Sequence, residues 1–195
     1  MQLSREAITA AALEILGTYG LADVSMRRLA TTLGVAPGAL YWHIENKQEL
    51  IASMAAAIAA PVVENPPADP EALCAALRRA VLGVQDGAEV VVTAIGQPEA
   101  QIGGALSETF TRVVAGVAGN QASARDVRAA AHGLIHLTLG AAAVQQSGRQ
   151  LAQATGEAGA AAGERDAAAE HAAAVRLMLR GLAAQHGDSP AVHYD

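Results

Sequence analysis

The feature that most constrains this chain is its alanine. Alanine crowds the stretches Ala52–Ala60 and Ala158–Ala174, and it is the best helix former. The β-branched and aromatic runs that build strands are few, with aromatic residues at only 3%. The expected fold class is therefore all-α, with a core of Leu, Val, Ile and Ala that closes by near approach of helices. At 52% hydrophobic the chain is too apolar to be disordered as a whole, and 195 residues suit one domain or two small ones. The apolar stretch Leu50–Val63 is interrupted by Ser53 and Pro61 and is too short to span a bilayer. Residues 1–20 carry Glu6 and Glu14 where a signal peptide would be apolar. The single cysteine, Cys74, has no internal partner and fits a reducing compartment. A cytoplasmic protein without a membrane partner is expected, with Cys74 as a small buried hydrophobe.

Capping signals divide the chain. Ser4 opens a first helix with Ile8, Ala11, Ala12, Ile15, Leu16 and Tyr19 at helical spacing, ended by Gly20. Ser25 opens a second, Met26 to Leu33, ended by Gly34. Pro37 stands in the first turn of a short third helix reaching about His43. Asn46 with Glu49 starts a fourth as a capping box, predicted to stop at Pro61. Residues 61–70 hold four of the seven prolines, which places a boundary there. Two domains are expected, 1–60 and 61–188. In the second, helices should begin at Asp69-Pro70, around Ala88–Ile95, at Pro98 and at Ser123, the last running to about Gln146. Four glycines in 147–163 predict a mobile loop, followed by a helix over about Glu164–Gln185.

Residues 25–43 have the layout of a helix-turn-helix: two short helices around Gly34, the second free to enter a groove. Arg27, Arg28, Tyr41, Trp42, His43 and Lys47 would form the exposed face, although Tyr41 and Trp42 could equally be core of a small bundle. The net charge of −6 excludes a general electrostatic grip on nucleic acid. Residues 1–60 carry only −1 of it, so any DNA contact must be local to the small basic face.

The residues themselves narrow the reading. Val24-Ser25-Met26-Arg27-Arg28-Leu29-Ala30, Leu33-Gly34-Val35 and Gly38-Ala39-Leu40-Tyr41-Trp42-His43-Ile44-Glu45-Asn46-Lys47-Gln48-Glu49-Leu50 strongly resemble the DNA-binding domain of TetR-family regulators. Arg78-Arg79-Ala80-Val81-Leu82, Asp86-Gly87-Ala88 and His136-Leu137-Thr138-Leu139-Gly140 resemble, more weakly, the tetracycline-repressor branch of that family. The resemblance implies an all-helical homodimer that binds a double-stranded operator and encloses a small-molecule effector. It implies that Arg27 reads a guanine edge, and that Tyr41, Trp42, His43 and Lys47 hold the phosphate backbone. Ser25 and Arg28 complete the DNA-binding set at the start of the second helix. Where the branch has polar base readers this chain has Pro37, Gly38 and Ala39, which carry no side-chain donor. Gly38 and Ala39 suit a thymine methyl or a close backbone approach, so the operator should differ from the branch's own.

The pocket departs further. In that branch a histidine after Asp-Gly-Ala and a glutamate late in the long helix hold a magnesium–tetracycline complex. Val91 and Val144 fall at those positions, and valine offers a hard cation no oxygen. The expected pocket is apolar, lined by Leu73, Leu77, Val91, Phe110, Ile135, Leu139 and Val144, with Thr93, Thr109, His136 and Gln145 to orient an effector. The effector should be mainly apolar, with no cofactor and no metal. His132 and His136 stand at i, i+4, but no third ligand is near in sequence. His171, His186 and His193 are expected at the surface. An enzyme is disfavoured: no nucleophile–base order or Gly-rich phosphate loop is present. A DNA-binding dimer without an effector is the nearer alternative. The dimer should form through the last two helices, where Ala129, Gly133, Gly140, Ala173 and Gly181 permit close packing.

Overall fold

The computed structural model describes the backbone of residues 3–118, 122–156 and 160–184, with side chains omitted over 160–164. Among these residues there are nine α-helices, one 3₁₀ turn and no strand. The helices are α1 (Arg5–Tyr19), α2 (Met26–Leu33), α3 (Pro37–Leu40), α4 (Lys47–Glu64), α5 (Pro70–Leu82), α6 (Gly87–Ile95), α7 (Gln101–Val117), α8 (Ala124–Thr155) and α9 (Ala160–Ala184). The 3₁₀ turn, Leu21–Asp23, lies between α1 and α2.

The caps form as the sequence directs. Ser4, Ser25, Asn46, Asp69 and Ser123 each accept a hydrogen bond from the backbone N–H three residues on. Glu49 reaches back one residue past the cap, accepting from the Glu45 N–H at 2.5 Å where a capping box would accept from Asn46, and it pairs with Arg5 of α1. Gly34 closes α2 with φ +66, a left-handed conformation that glycine adopts at no steric cost.

Several stretches differ from expectation. α4 does not stop at Pro61 but runs through it to Glu64. Pro61 is exposed within one turn of the end, so its missing N–H costs one late bond, and Val62 beyond it is buried. α8 continues past Gln146 to Thr155 and ends at Gly156 with φ +71, so residues 147–155 of the expected loop are helix. Gly148 lies among Gln, Arg, Leu and Ala, whose helix propensity outweighs one glycine. Residues 157–159 of that expected loop lie outside the described residues, and its last part, 160–163, is already helix, since α9 starts at Ala160 rather than Glu164. α7 starts at Gln101, three residues after Pro98, with Gln97–Ala100 forming a turn.

α4 packs against α1, α5, α6 and α7, and α8 packs against α5, α6, α7 and α9. One continuous core, from Ile8 and Leu16 through Leu50 and Met54 to Leu77, Phe110 and Leu134, joins both parts of the chain. By length and composition alone α8 could cross a membrane, exceeding the Leu50–Val63 stretch. In the fold its Leu134, Ile135, Leu139 and Ala142 are buried against neighbouring helices.

Candidate nucleic-acid interface

The helix-turn-helix is built on a small apolar wedge. Val24, Leu29, Ala30, Leu40 and Ile44 are all buried and fix α2 against α3. The Val35 N–H donates to the Ala30 carbonyl at 3.0 Å and closes the turn. α3 is a single turn, and Tyr41–His43 form a further turn held by bonds from His43 and Ile44 to the Leu40 carbonyl. The expected helix to His43 is thus split into a helix and a turn. With the apolar face of the motif spent on the wedge, the remaining side chains point outward. Trp42 is 89% exposed and Tyr41 is 50% exposed, which removes the reading of either as core. Arg27, Pro37, Gly38 and Lys47 are exposed as well, while Ala39 and His43 are half-buried.

The two adjacent arginines are used differently. Arg27 joins Ala22, Ser25 and Thr31 at a shallow cleft beside the start of α2. Arg28 is ion-paired with Asp23, and its guanidinium lies 3.8 Å from the centre of the Tyr19 ring. Ser25 is occupied as a cap, its Oγ accepting from the Arg28 N–H at 3.2 Å.

The expected pocket residues fall into a buried group and an exposed one. Leu73, Leu77, Val91, Phe110, Ile135 and Leu139 are buried members of the core, and Thr109 is buried among them. Thr93, His136 and Val144 are exposed. Val144 instead borders a groove of about 590 Å³ between α8 and α9, which Arg78, Leu137, Gln145, Arg149 and His171 also line. The groove exists because Gly140, Ala141, Gly148, Ala152, Ala167 and Ala174 face it with little side-chain volume.

His171 corrects the sequence reading: it is 6% exposed rather than at the surface. Its Nε2 lies 3.0 Å from the Thr138 hydroxyl, joining α9 to α8. Burial, and then the charge of Arg78, hold its pKa below the ordinary histidine value. Cys74 is buried as expected, and burial pushes its thiol up to about 11. His186 and His193 lie outside the described residues. His132 makes a 2.7 Å contact with the Ser107 hydroxyl. No group of three or more His, Cys, Asp or Glu among the described residues is placed to hold a metal.

Sequence reasoning missed a set of polar side chains around the turn between α5 and α6. Gln146 of α8, 8% exposed, accepts from the Ala88 N–H at 3.0 Å. Its amide donates to the Val81 carbonyl at 3.1 Å and the Val84 carbonyl at 2.7 Å. Asp86 in the same turn has φ +55, the only non-glycine with positive φ among the described residues. A left-handed Asp before Gly87 is the one local signal that could have marked it.

Known proteins match this architecture. Residues 8–54 match the family described as bacterial regulatory proteins, tetR family. The Escherichia coli tetracycline repressor protein class D is 33% identical over 153 residues, spanning 74% of this chain and 67% of that protein. The chain belongs to the tetR family. The class C repressor of the same organism is 36% identical over 97 residues, and the chain spans only 44% of its length. Among solved structures, Mycobacterium smegmatis BioQ is 35% identical with a TM-score of 0.79, covering 94% of this chain and 99% of BioQ. A BioQ solved with its natural double-stranded DNA operator has the same identity and coverage and a TM-score of 0.75. As a tetR-family member the chain is a helix-turn-helix transcription regulator and not an enzyme.

Proposed function

We propose that this tetR-family chain is a ligand-responsive repressor. It binds a double-stranded operator as a homodimer and leaves it when a mainly apolar small molecule binds. The observation that carries the DNA-binding part is the outward display of Arg27, Tyr41, Trp42 and Lys47 on a motif whose apolar side is fully used. Arg27 reads a base, Tyr41, Trp42, His43 and Lys47 hold phosphates, and Ser25 and Arg28 order the start of α2 between them. Two such heads meet half-sites about 34–36 Å apart, or a multiple of that spacing.

Dimerisation uses α8 and α9, which leave Val144, Leu151 and Leu177 66–75% exposed in the single chain. Burying them at about 25 cal/mol per Å² favours association. The effector acts without magnesium, since Val91 and Val144 offer no metal-ligating atom. Release follows from preferential binding to a conformer with mis-spaced heads, and tenfold release needs a coupling of about 1.4 kcal/mol. α4 is the path for that coupling, because it contacts α1 at one end and α5, α6 and α7 beyond it. The regulator works in the cytoplasm, where its operator is.

A second reading has one observation in its favour. The core residues expected to line a pocket are packed against one another, which suits a DNA-binding dimer with no effector. One experiment separates the readings. An operator is selected from random duplex DNA with the full chain, and tetracycline with magnesium or a panel of apolar compounds is then added to the complex. Release by an apolar compound supports the repressor reading. No release by any compound supports the second reading, release by tetracycline that a chelator abolishes overturns the metal-free effector, and failure to select DNA overturns both readings.

A further inference from the structure

The turn between α5 and α6 is bonded on two opposite sides. On one side α8 holds it through Gln146, as described, and through Gln150, whose amide donates to Asp86 Oδ1. On the other side Asp86 Oδ2 accepts from the Leu21 N–H at 2.8 Å. Leu21 opens the 3₁₀ turn that leads into α2. That turn ends at Asp23, which is ion-paired with Arg28 of α2. Arg28 in turn lies over Tyr19 at the end of α1.

A line of polar contacts, joined by the backbone of the 3₁₀ turn, therefore runs from α8 to the helix-turn-helix through Gln150, Asp86, Leu21, Asp23 and Arg28. It does not pass through α4. The backbone is shaped for it at three points. Asp86 accepts a left-handed conformation and does not cap its own helix, so its carboxylate stays turned toward Leu21. Gly20 has φ +82, and a Cβ there would meet Asp86 Oδ2 at 3.0 Å and Gln85 Nε2 at 3.1 Å. At Gly87 a Cβ would meet the Val81 carbonyl oxygen at 2.3 Å, so only glycine lets the turn close at that point. The local cost at Asp86 is offset by a contact between residues 65 positions apart in sequence.

We infer that Asp86 is a positioning residue that fixes the angle of the reading head on the dimerising body. It forms a second strut beside α4. The inference rests on the operator-binding reading above, but part of its test needs no DNA. A carboxylate can accept at both oxygens, one for Leu21 and one for Gln150. Asp86→Asn keeps the shape, an acceptor for Leu21 and a donor that Gln150 meets by turning its amide, so it is the conservative control. Asp86→Ala satisfies neither side. Gln150→Ala frees the α8 end and leaves the Leu21 bond in place.

The test has two readouts. The first is amide exchange at Leu21 in the free protein, with circular dichroism melts to establish that each variant is folded. Asp86→Ala is expected to speed exchange at Leu21 by about tenfold or more while α5 and α8 amides stay protected. The second is operator affinity on duplexes whose half-sites are moved apart or together by one base pair. The wild type should prefer its own spacing by about tenfold, and Asp86→Ala and Gln150→Ala should each reduce that preference to about threefold or less.

A structural role alone would lower affinity on every duplex by one factor and leave the preference intact. That result, or unchanged exchange at Leu21 when the Asp86 carboxylate is removed, overturns the inference. If Asp86→Ala does not fold, Asp86→Gly, which suits the left-handed φ of +55 and also lacks the carboxylate, carries both readouts, and Gln150→Ala carries the spacing readout alone because its Leu21 bond stays in place. If wild-type protein selects no operator, the operator-binding reading fails, and the exchange result alone still decides whether Asp86 holds the turn.

Discussion

Replacing Gln146 by alanine removes three hydrogen bonds at one stroke, and the structure indicates the cost. The Ala88 N–H and the Val81 carbonyl belong to fully buried residues, so no water replaces the lost amide there. The Val84 carbonyl sits in a part-buried residue, and solvent can compensate it. Two stranded buried groups at about 1–3 kcal/mol each give a loss of about 2–6 kcal/mol. That is a large part of a domain's typical stability of about 5–15 kcal/mol. At about 2–4 °C per kcal/mol for a chain of this size, it lowers the melting midpoint by roughly 4–24 °C. The assay is thermal and urea unfolding at one fixed protein concentration, because a dimer's midpoint moves with concentration. Gln146→Glu separates the terms: it keeps an acceptor for Ala88, loses both donors and buries a charge, so it should be at least as destabilising as Gln146→Ala. A loss below about 1 kcal/mol for Gln146→Ala would show that the α5–α6 turn finds other partners, and the hydrogen-bond accounting would be refuted.

Four further outcomes are expected. Arg27→Ala should cost about 1–3 kcal/mol and relax one operator position, whereas Lys47→Ala should weaken all sequences alike; equal losses on every base-substituted operator would remove Arg27 as a reader. Replacing thymine by uracil within the half-sites should weaken wild-type binding at the positions under Pro37, Gly38 and Ala39, since only the 5-methyl is lost; uniform tolerance would show that α3 touches no thymine methyl. His171 binds its proton less readily in the fold than in the unfolded chain, so its contribution to stability should fall as pH drops through the ordinary histidine range near 6.5 and level off below the folded value; a His171→Gln protein should show a flatter urea midpoint across that range. Cys74, with its thiol pushed up to about 11, should resist iodoacetamide in the native protein and react on unfolding, and rapid native alkylation would contradict its burial.

Where a structural signal is local, the sequence carries it. Each of Ser4, Ser25, Asn46, Asp69 and Ser123 announces a helix start because a cap needs only its own side chain and an amide three residues away. Arg27, Tyr41 and Trp42 stand out because Leu29, Leu40 and Ile44 fill the opposite face at helical spacing. Pro61 and Gly148 mislead for the same local reason. Each is an unfavourable residue in a helix, but its cost is one bond or about 1 kcal/mol, which neighbouring burial and propensity overcome. The bonds from Asp86 to Leu21 and from Gln146 to Val81 join residues 65 apart, so no periodicity marks them. The burial of His171 is not legible locally, because its alanine-rich surroundings give no sign of Thr138 across the helix pair, which bonds it in the interior.

The exposure of Trp42 has a spectroscopic consequence. It is the chain's one tryptophan, and it is 89% exposed while the chain is folded. Its indole meets nearly the same water in the native and unfolded states, so its emission should scarcely register denaturation. What can change its environment is a surface laid against the recognition turn. Red-edge tryptophan emission that is nearly silent through a urea titration, yet shifts or is quenched when duplex is added, makes the protein an intrinsic sensor of its own docking.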